Sequence, residues 1–328
     1  MSIFSKWDFD GLIWGMIAAI VYGVIARFIA AGGGLSLSGS FFVMTVAFLF
    51  LVPLTVGYLT VRSVERPSVA YRLFAPWVSS LATIAVTVLV GWEGSICVVM
   101  GTPLILVLSS VGGLLGGNRV TGRRAATPLM IALPYLVAPL EARRPLPARF
   151  TESVATIDIG APANVVWRLV ASVDSIRPQE RRPALFTAMG FPRPISATLS
   201  RPGVGGIRRA RFEHGLVFTE TVTTWRPDSV LSFTIRPNTD SIPPTTLDPH
   251  VAIGGRFFDV LTGTYELHRL SATRTRLVLR SRQRVSTPFN PYAGWWADRV
   301  MRSIQDNILE VHRARAEAIA LRSASLDL

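Results

Sequence analysis

The stretch Gly215 to Arg236, GLVFTETVTTWRPDSVLSFTIR, reads as a β-hairpin. Strand side chains repeat every two residues, so Leu216, Phe218, Glu220 and Val222 share one face and Val217, Thr219, Thr221 and Thr223 the other. The returning strand sets Leu231, Phe233 and Ile235 against Ser232 and Thr234. Between them, Arg226-Pro227-Asp228-Ser229 supplies turn chemistry: proline presets φ, and short polar side chains bond to the local backbone. The pattern predicts a curved sheet with a wet face and a greasy face, and it puts one carboxylate, Glu220, on the greasy one.

Working outward, the two halves of the 328-residue chain differ in kind. Residues 1 to 150 hold 11 Lys+Arg and 5 Asp+Glu between long apolar runs, whereas residues 151 to 328 hold 23 and 16. The first half is membrane-like and the second soluble-like. All the basic residues except Lys6 are arginine, and the net charge of +13 does not by itself indicate nucleic-acid binding; no nucleic-acid partner is predicted. A single cysteine, Cys97, excludes an intrachain disulfide and a multi-cysteine metal site. The histidines at 214, 250, 268 and 312 lack metal-ligand spacing, so neither a metal nor another cofactor is predicted.

Apolar runs near 12–30, 41–61, 73–90 and 96–115 each approach the roughly 20 residues that cross a bilayer's hydrocarbon core. Arg27, near the end of the first, is placed to snorkel. Gly112, Gly113, Gly116 and Gly117 have the small-residue spacing that lets helices approach closely. Arginine-rich loops follow the second and fourth runs, which puts the N-terminus and those loops in the cytoplasm. The run 125–140 is short and holds Pro128, Pro134 and Pro139. As a fifth span it puts the following domain outside the cytoplasm, the reading preferred because long domains translocate largely regardless of charge; otherwise the domain is cytoplasmic. An integral protein of a bacterial-type cytoplasmic membrane is expected.

The domain plan is therefore a transmembrane unit over 1–142, a proline-containing linker over 143–151, a soluble domain over 152–320 and a short tail over 321–328. The soluble half opens with a strand near 154–159. A helix begun by Ala161-Pro162-Ala163-Asn164 follows, with Val166, Leu169, Val170 and Val173 on one stripe. Strands are predicted near 195–200, 207–213, 216–225, 230–236, 252–260, 263–270 and 274–285. In the last, Arg274, Arg276, Arg280, Arg282 and Arg284 form a comb that meets either anionic headgroups or cross-strand acids such as Glu266. Pro291 to Leu321 closes the domain as a helix with Tyr292, Trp296, Val300, Ile304, Ile308 and Val311 along a packing stripe. Gly203-Val204-Gly205-Gly206 reads as a strand-entry turn, since no phosphate-loop Lys-Ser/Thr follows it.

This order, with APANVVW after the first strand, GVGGIRRARFEHGLVFTETVTTWRPDSVLSFTI in the middle and NPYAGWWADRVMRSIQDNILEVHRARAEA at the end, resembles the START-like helix-grip superfamily, which includes polyketide cyclase/dehydrase-like and lipid-transport proteins. The resemblance covers roughly 152–318. The expected fold is an all-α transmembrane bundle followed by an α+β helix-grip domain, a curved antiparallel sheet around a long C-terminal helix. The resemblance implies a cavity between sheet and helix but no single chemistry.

Parity and resemblance together nominate Phe212, Phe218, Glu220, Val222, Phe233, Ile235, Trp296 and Val300 as cavity residues. A carboxylate in apolar surroundings has its pKa raised, which suits Glu220 to acid/base work or to anchoring a ligand. The other reading of Glu220 is a structural pair with an arginine such as Arg208 on the neighbouring strand. Asp248 and His250, in the proline-rich loop DSIPPTTLDPH, are a second acid/base candidate, with turn capping as the alternative. The functional expectation is a membrane-anchored protein that binds, and can pass on, a lipid or other hydrophobic small molecule. The alternatives are a polyketide cyclase-like enzyme using Glu220 or Asp248/His250, and a module for a protein partner localised by its spans. The balance leans away from an enzyme.

Overall fold

The computed structural model describes residues 9–30, 43–117, 123–180, 184–238 and 253–326. The chain forms two compact units that divide at Leu146 and Pro147.

The first unit is helical: α1 Phe9–Ala30, a π-helical turn Ala47–Leu51 leading into α2 Val52–Arg62, α3 Val69–Leu89, α4 Ser95–Gly117 and α5 Arg123–Ala142. Three helices, over Asp10–Ala30, Val69–Leu89 and Ser95–Gly117, are long and apolar enough to cross a membrane. Prolines interrupt the others, and the consequences are local. Pro53 cannot donate to the carbonyl four residues back, and the turn before it is widened to π geometry. Glu141, in the last turn of α5, receives the backbone N–H groups of Val46 and Ala47 at 3.2 and 2.8 Å. Pro134 likewise leaves the Met130 carbonyl without its helical donor, and the Thr55 hydroxyl of α2 supplies one at 3.0 Å.

The predicted glycine spacing at the end of α4 serves two neighbours. A Cβ on Gly112 would stand 1.9 Å from the Leu54 carbonyl oxygen, and one on Gly116 would stand 2.5 Å from that of Tyr58, both on α2. Gly113 faces α3 instead, where a Cβ would stand 2.1 Å from the Arg72 oxygen that Pro76 cannot serve. Arg27 corrects the snorkelling expectation. It is 2% exposed, donates from Nε to Glu93 at 2.5 Å and from Nη2 to the Trp92 carbonyl, and so pins the end of α1 to the α3–α4 turn.

The second unit contains β1 Arg149–Ile159, α6 Ala163–Ala171, α7 Leu185–Ala188, β2 Pro194–Leu199, β3 Ile207–Phe212, β4 Val217–Arg226, β5 Val230–Asn238, β6 Phe258–Arg269, β7 Thr275–Val285 and α8 Asn290–Leu326. Its strands form one antiparallel sheet in the order β1-β7-β6-β5-β4-β3-β2. Register shifts in β2, β4 and β6 add the local bend that lets the sheet curl. The helix α8 lies along β1 and β7 and against α6 and α7. The core joins Leu309 and Ala316 of α8 to Val222, Leu231, Phe233, Tyr265, Leu267, Leu277 and Leu279 of the sheet and to Val166, Trp167 and Val170 of α6.

Two expectations are corrected. The gap read between the strands near 252–260 and 263–270 is absent: β6 runs unbroken from Phe258 to Arg269, with Ile253–Phe257 outside it. Gly263, within the strand, marks a close approach. A Cβ there would stand 2.6 Å from the Phe233 ring. The buried face of α8 is Ala297, Met301, Gln305, Leu309, His312 and Ala316, joined by Val311 of the expected stripe, whereas Trp296, Val300, Ile304 and Ile308 are half-buried. Reading apolar residues alone passed over Gln305, whose Nε2 donates to the Ser153 carbonyl at 3.0 Å and to Ser281 Oγ at 2.9 Å.

Overpacking a tight contact costs about 1–3 kcal/mol. Gly112→Val is therefore expected to lower the thermal midpoint of the detergent-solubilised protein, whereas Gly101→Ala, whose Cβ would meet only Ile105 at 3.6 Å, leaves it unchanged.

Candidate functional site

The antiparallel register of β3 and β4 sets Arg208 directly opposite Glu220 on the inner face. The Arg208 guanidinium donates from Nη1 to Glu220 Oε2, and both side chains are buried. Of the two readings of Glu220, the pair with Arg208 is present in the structure. The guanidinium also lies over the rings of Phe233 on β5 and Tyr265 on β6, at 5.4 and 5.9 Å from their centroids. His312 of α8 meets the Tyr265 ring edge-on, with centroids 5.8 Å apart. Sheet and helix thus close around one polar cluster: Arg208, Glu220, Tyr265 and His312.

Burial pushes the Glu220 carboxyl up, with the adjacent guanidinium pulling it down, while Glu220 raises Arg208 against the opposing effect of burial. The pair is ionised at neutral pH, because protonating Glu220 would leave Arg208 as a lone buried cation. Burial, and then the nearby charge of Arg208, lower His312 to about 3, so its ring is neutral. Burial raises the Tyr265 phenol. Two atoms of the cluster, Arg208 Nε and His312 Nδ1, are buried without a hydrogen-bond partner. Such groups carry the full cost of desolvation until something pairs with them.

The remaining nominated residues fall around this cluster. Val222 and Phe233 are fully buried in the core. Ile235, opposite Glu220 on β5, is half-buried, and so are Phe212 and Phe218, whose rings meet edge-on at 5.2 Å. Trp296 and Val300 are half-buried on the flank of α8 that later carries Val311, which packs with Val173, Ile176, Ala197 and Ala210 near β2 and β3. The Trp296 indole N–H is buried and without an acceptor. Asp248 and His250 lie outside the described residues.

Tyr265 and His312 were not among the nominated residues. For His312 a signal existed: it follows Gln305 by seven residues, two turns on the same stripe, and two polar residues in register on a core-facing helix stripe call for buried partners. Tyr265 lies in the strand read near 263–270, whose inward face alternation in the hairpin did not assign. Elsewhere, the glycines of 203–206 make the β2–β3 turn, with Gly203 and Gly205 at φ of +102° and +77°. The arginine comb is mostly matched on the outer face: Arg276 to Asp158 at 2.7 Å, Arg280 to Glu266 at 3.0 Å, and Arg284 to the carbonyls of Gly255 and Arg256.

Seven antiparallel strands with a long terminal helix along their inner face constitute a helix-grip fold. No protein-family model matches the sequence, and comparison with curated proteins finds no match. Among solved structures the chain is similar to a START superfamily protein from Mycobacterium smegmatis, at 11% identity over 51% of this chain and 98% of that one, with a TM-score of 0.35. It is also similar to the Zhui aromatase/cyclase from Streptomyces sp. R1128, at 17% identity over 54% and 96%, with a TM-score of 0.33.

Breaking a buried ion pair by removing one partner costs about 3–5 kcal/mol, whereas replacing both by apolar groups is often neutral. Glu220→Leu alone should therefore lower the unfolding midpoint strongly, and Arg208→Met combined with Glu220→Leu should recover most of the loss. A pH effect follows from His312. Its pKa falls from about 6.5 when unfolded to about 3 when folded, so between those values the unfolded chain binds a proton that the folded unit refuses. Its contribution makes stability decline as pH drops, by about 2 kcal/mol at pH 5. His312→Leu should be less sensitive than the parent when thermal midpoints at pH 7 and pH 5 are compared.

Proposed function

We propose that the helix-grip unit binds a lipid or other hydrophobic small molecule between the sheet and α8, and that the apolar helices of the first unit anchor the protein in a membrane. One observation carries the binding reading: where the sheet faces α8, Arg208 Nε and His312 Nδ1 are buried in one cluster without hydrogen-bond partners. A polar group on a bound molecule would complete them, while its apolar body would cover the half-buried Phe212, Phe218, Ile235, Trp296 and Val300. The Arg208–Glu220 pair is the anchor point. Glu220 is committed to Arg208, which suits it to orienting a ligand better than to moving protons, so binding is favoured over a cyclase-like reaction. A membrane anchor gives the arrangement a physical rationale, because it holds the unit where hydrophobic molecules are concentrated.

The test is native mass spectrometry of the full chain after gentle extraction, together with titration of a fluorescent fatty acid as probe. A co-purifying or titratable hydrophobic molecule is expected at one per chain. Val300→Trp, which adds bulk on the proposed lining, should weaken probe binding at least tenfold while the thermal midpoint stays within a few degrees of the parent. An unliganded parent that ignores the probe would overturn the reading.

A further inference from the structure

A second candidate surface lies at one end of the helix-grip unit, beside the first turns of α8. The chain enters this unit at Pro147, and Asn290, the first residue of α8, donates from Nδ2 to the Pro147 carbonyl at 2.7 Å. Eight residues further along the helix, Asp298 accepts from Ser153 Oγ at 2.8 Å. The first two turns of α8 therefore run beside the first half of β1, which is an edge strand of the sheet. Two large rings flank that edge: Phe150 on β1 is 52% exposed and Trp295 on α8 is 50% exposed. Each is covered by a cation, Arg282 at 5.3 Å from the Phe150 ring and Arg299 at 4.8 Å from the Trp295 ring.

The charges here are unbalanced. Asp298 is matched by Arg302 at 3.0 Å, and Glu152 lies opposite Arg282 in the β1–β7 register. Arg149 and Arg299 have no carboxylate partner among the described residues, in contrast to Arg276 and Arg280 of the comb. Exposed aromatic rings beside arginines that lack acidic partners suit the boundary between headgroups and acyl chains: rings enter the apolar margin and guanidiniums meet phosphates. The chain leads into this end of the unit from α5, an apolar helix that ends at Ala142, with only four residues between it and Pro147.

We propose that the end of the helix-grip unit formed by Arg149, Phe150, Arg282, Trp295 and Arg299 docks on the anionic headgroup layer of a lipid bilayer. Docking sets which end of the sheet faces the lipid. Phe150 pairs with Arg284, and Phe258 with Val285, at this end. Val230 pairs with Glu266 near the other, so the β4–β5 turn at Ser229 is remote from the bilayer.

The full chain carrying Cys97→Ala, with one fluorophore at Pro291→Cys or at Ser229→Cys, is placed in nanodiscs containing a headgroup quencher. The discs are made of phosphatidylcholine alone or with three-tenths phosphatidylglycerol. Strong quenching at 291 but not at 229 is expected in the anionic discs. The docked-to-undocked ratio should fall about fivefold for each arginine neutralised in Arg149→Gln and Arg299→Gln, and it should fall with added salt. Thermal midpoints of the two variants should match the parent, since both side chains are exposed. Equal quenching at 291 and 229 overturns the proposal, as does quenching at 291 that ignores lipid charge. A response to soluble heparin without any response to anionic lipid would assign the surface to an acidic macromolecule instead and would also overturn it. None of these outcomes depends on whether the interior binds a ligand.

Discussion

The buried contact between Arg208 and Glu220 constrains the helix-grip unit more than any single apolar contact. It requires that β3 and β4 pair in one register, because a slip of one residue would turn one of the two charges to the other face and strand it from its partner. Once the pair is inside, its surroundings are restricted too. Two aromatic faces, Phe233 and Tyr265, take up the cation, and the His312 ring packs on Tyr265 as a neutral group because burial, and then the charge of Arg208, disfavour its protonation. A buried ion pair is not an efficient source of stability, since desolvation opposes the attraction. Its value here is in specifying register and in offering directed hydrogen bonds within an apolar wall.

The helix α8 carries two polar positions on its deepest stripe, and they serve different ends. Gln305 is tied to β1 and β7 through Ser153 and Ser281, and Gln283 joins the same group by donating to Ser153 Oγ at 3.1 Å. That network fixes the helix along one side of the sheet. Two turns later, His312 faces the Arg208 cluster with a nitrogen unpaired. One helix thus carries both an amide tied into the β1–β7 side of the sheet and an imidazole beside the Arg208 cluster.

The first unit follows the same physics: a backbone group left unpaired away from water is costly. Its prolines expose carbonyls, and neighbours answer them: Thr55 bonds to Met130, and the bare α-carbon of Gly113 fits against Arg72. The Arg27–Glu93 pair closes the end of α1 in the same spirit.

Much of this was legible in the sequence. Alternation in the hairpin fixed the inward face of β4 and β5, apolar runs located the helices of the first unit, and the glycine spacing in α4 foretold close packing. Glu220 was conspicuous because one carboxylate broke an apolar period. Other features depended on contacts between residues far apart in the chain. The run of β6 through Gly263 depends on Phe233, whose ring takes the space a side chain there would need, and Arg27, expected to snorkel, is held by Glu93, 66 positions away. The sequence by itself determined periodicity, and with it the elements and their buried faces, because those depend on neighbours within a turn or a strand. Only the tertiary structure decided which polar groups meet, because register and helix placement bring Arg208, Glu220, Tyr265 and His312 together from four separate elements.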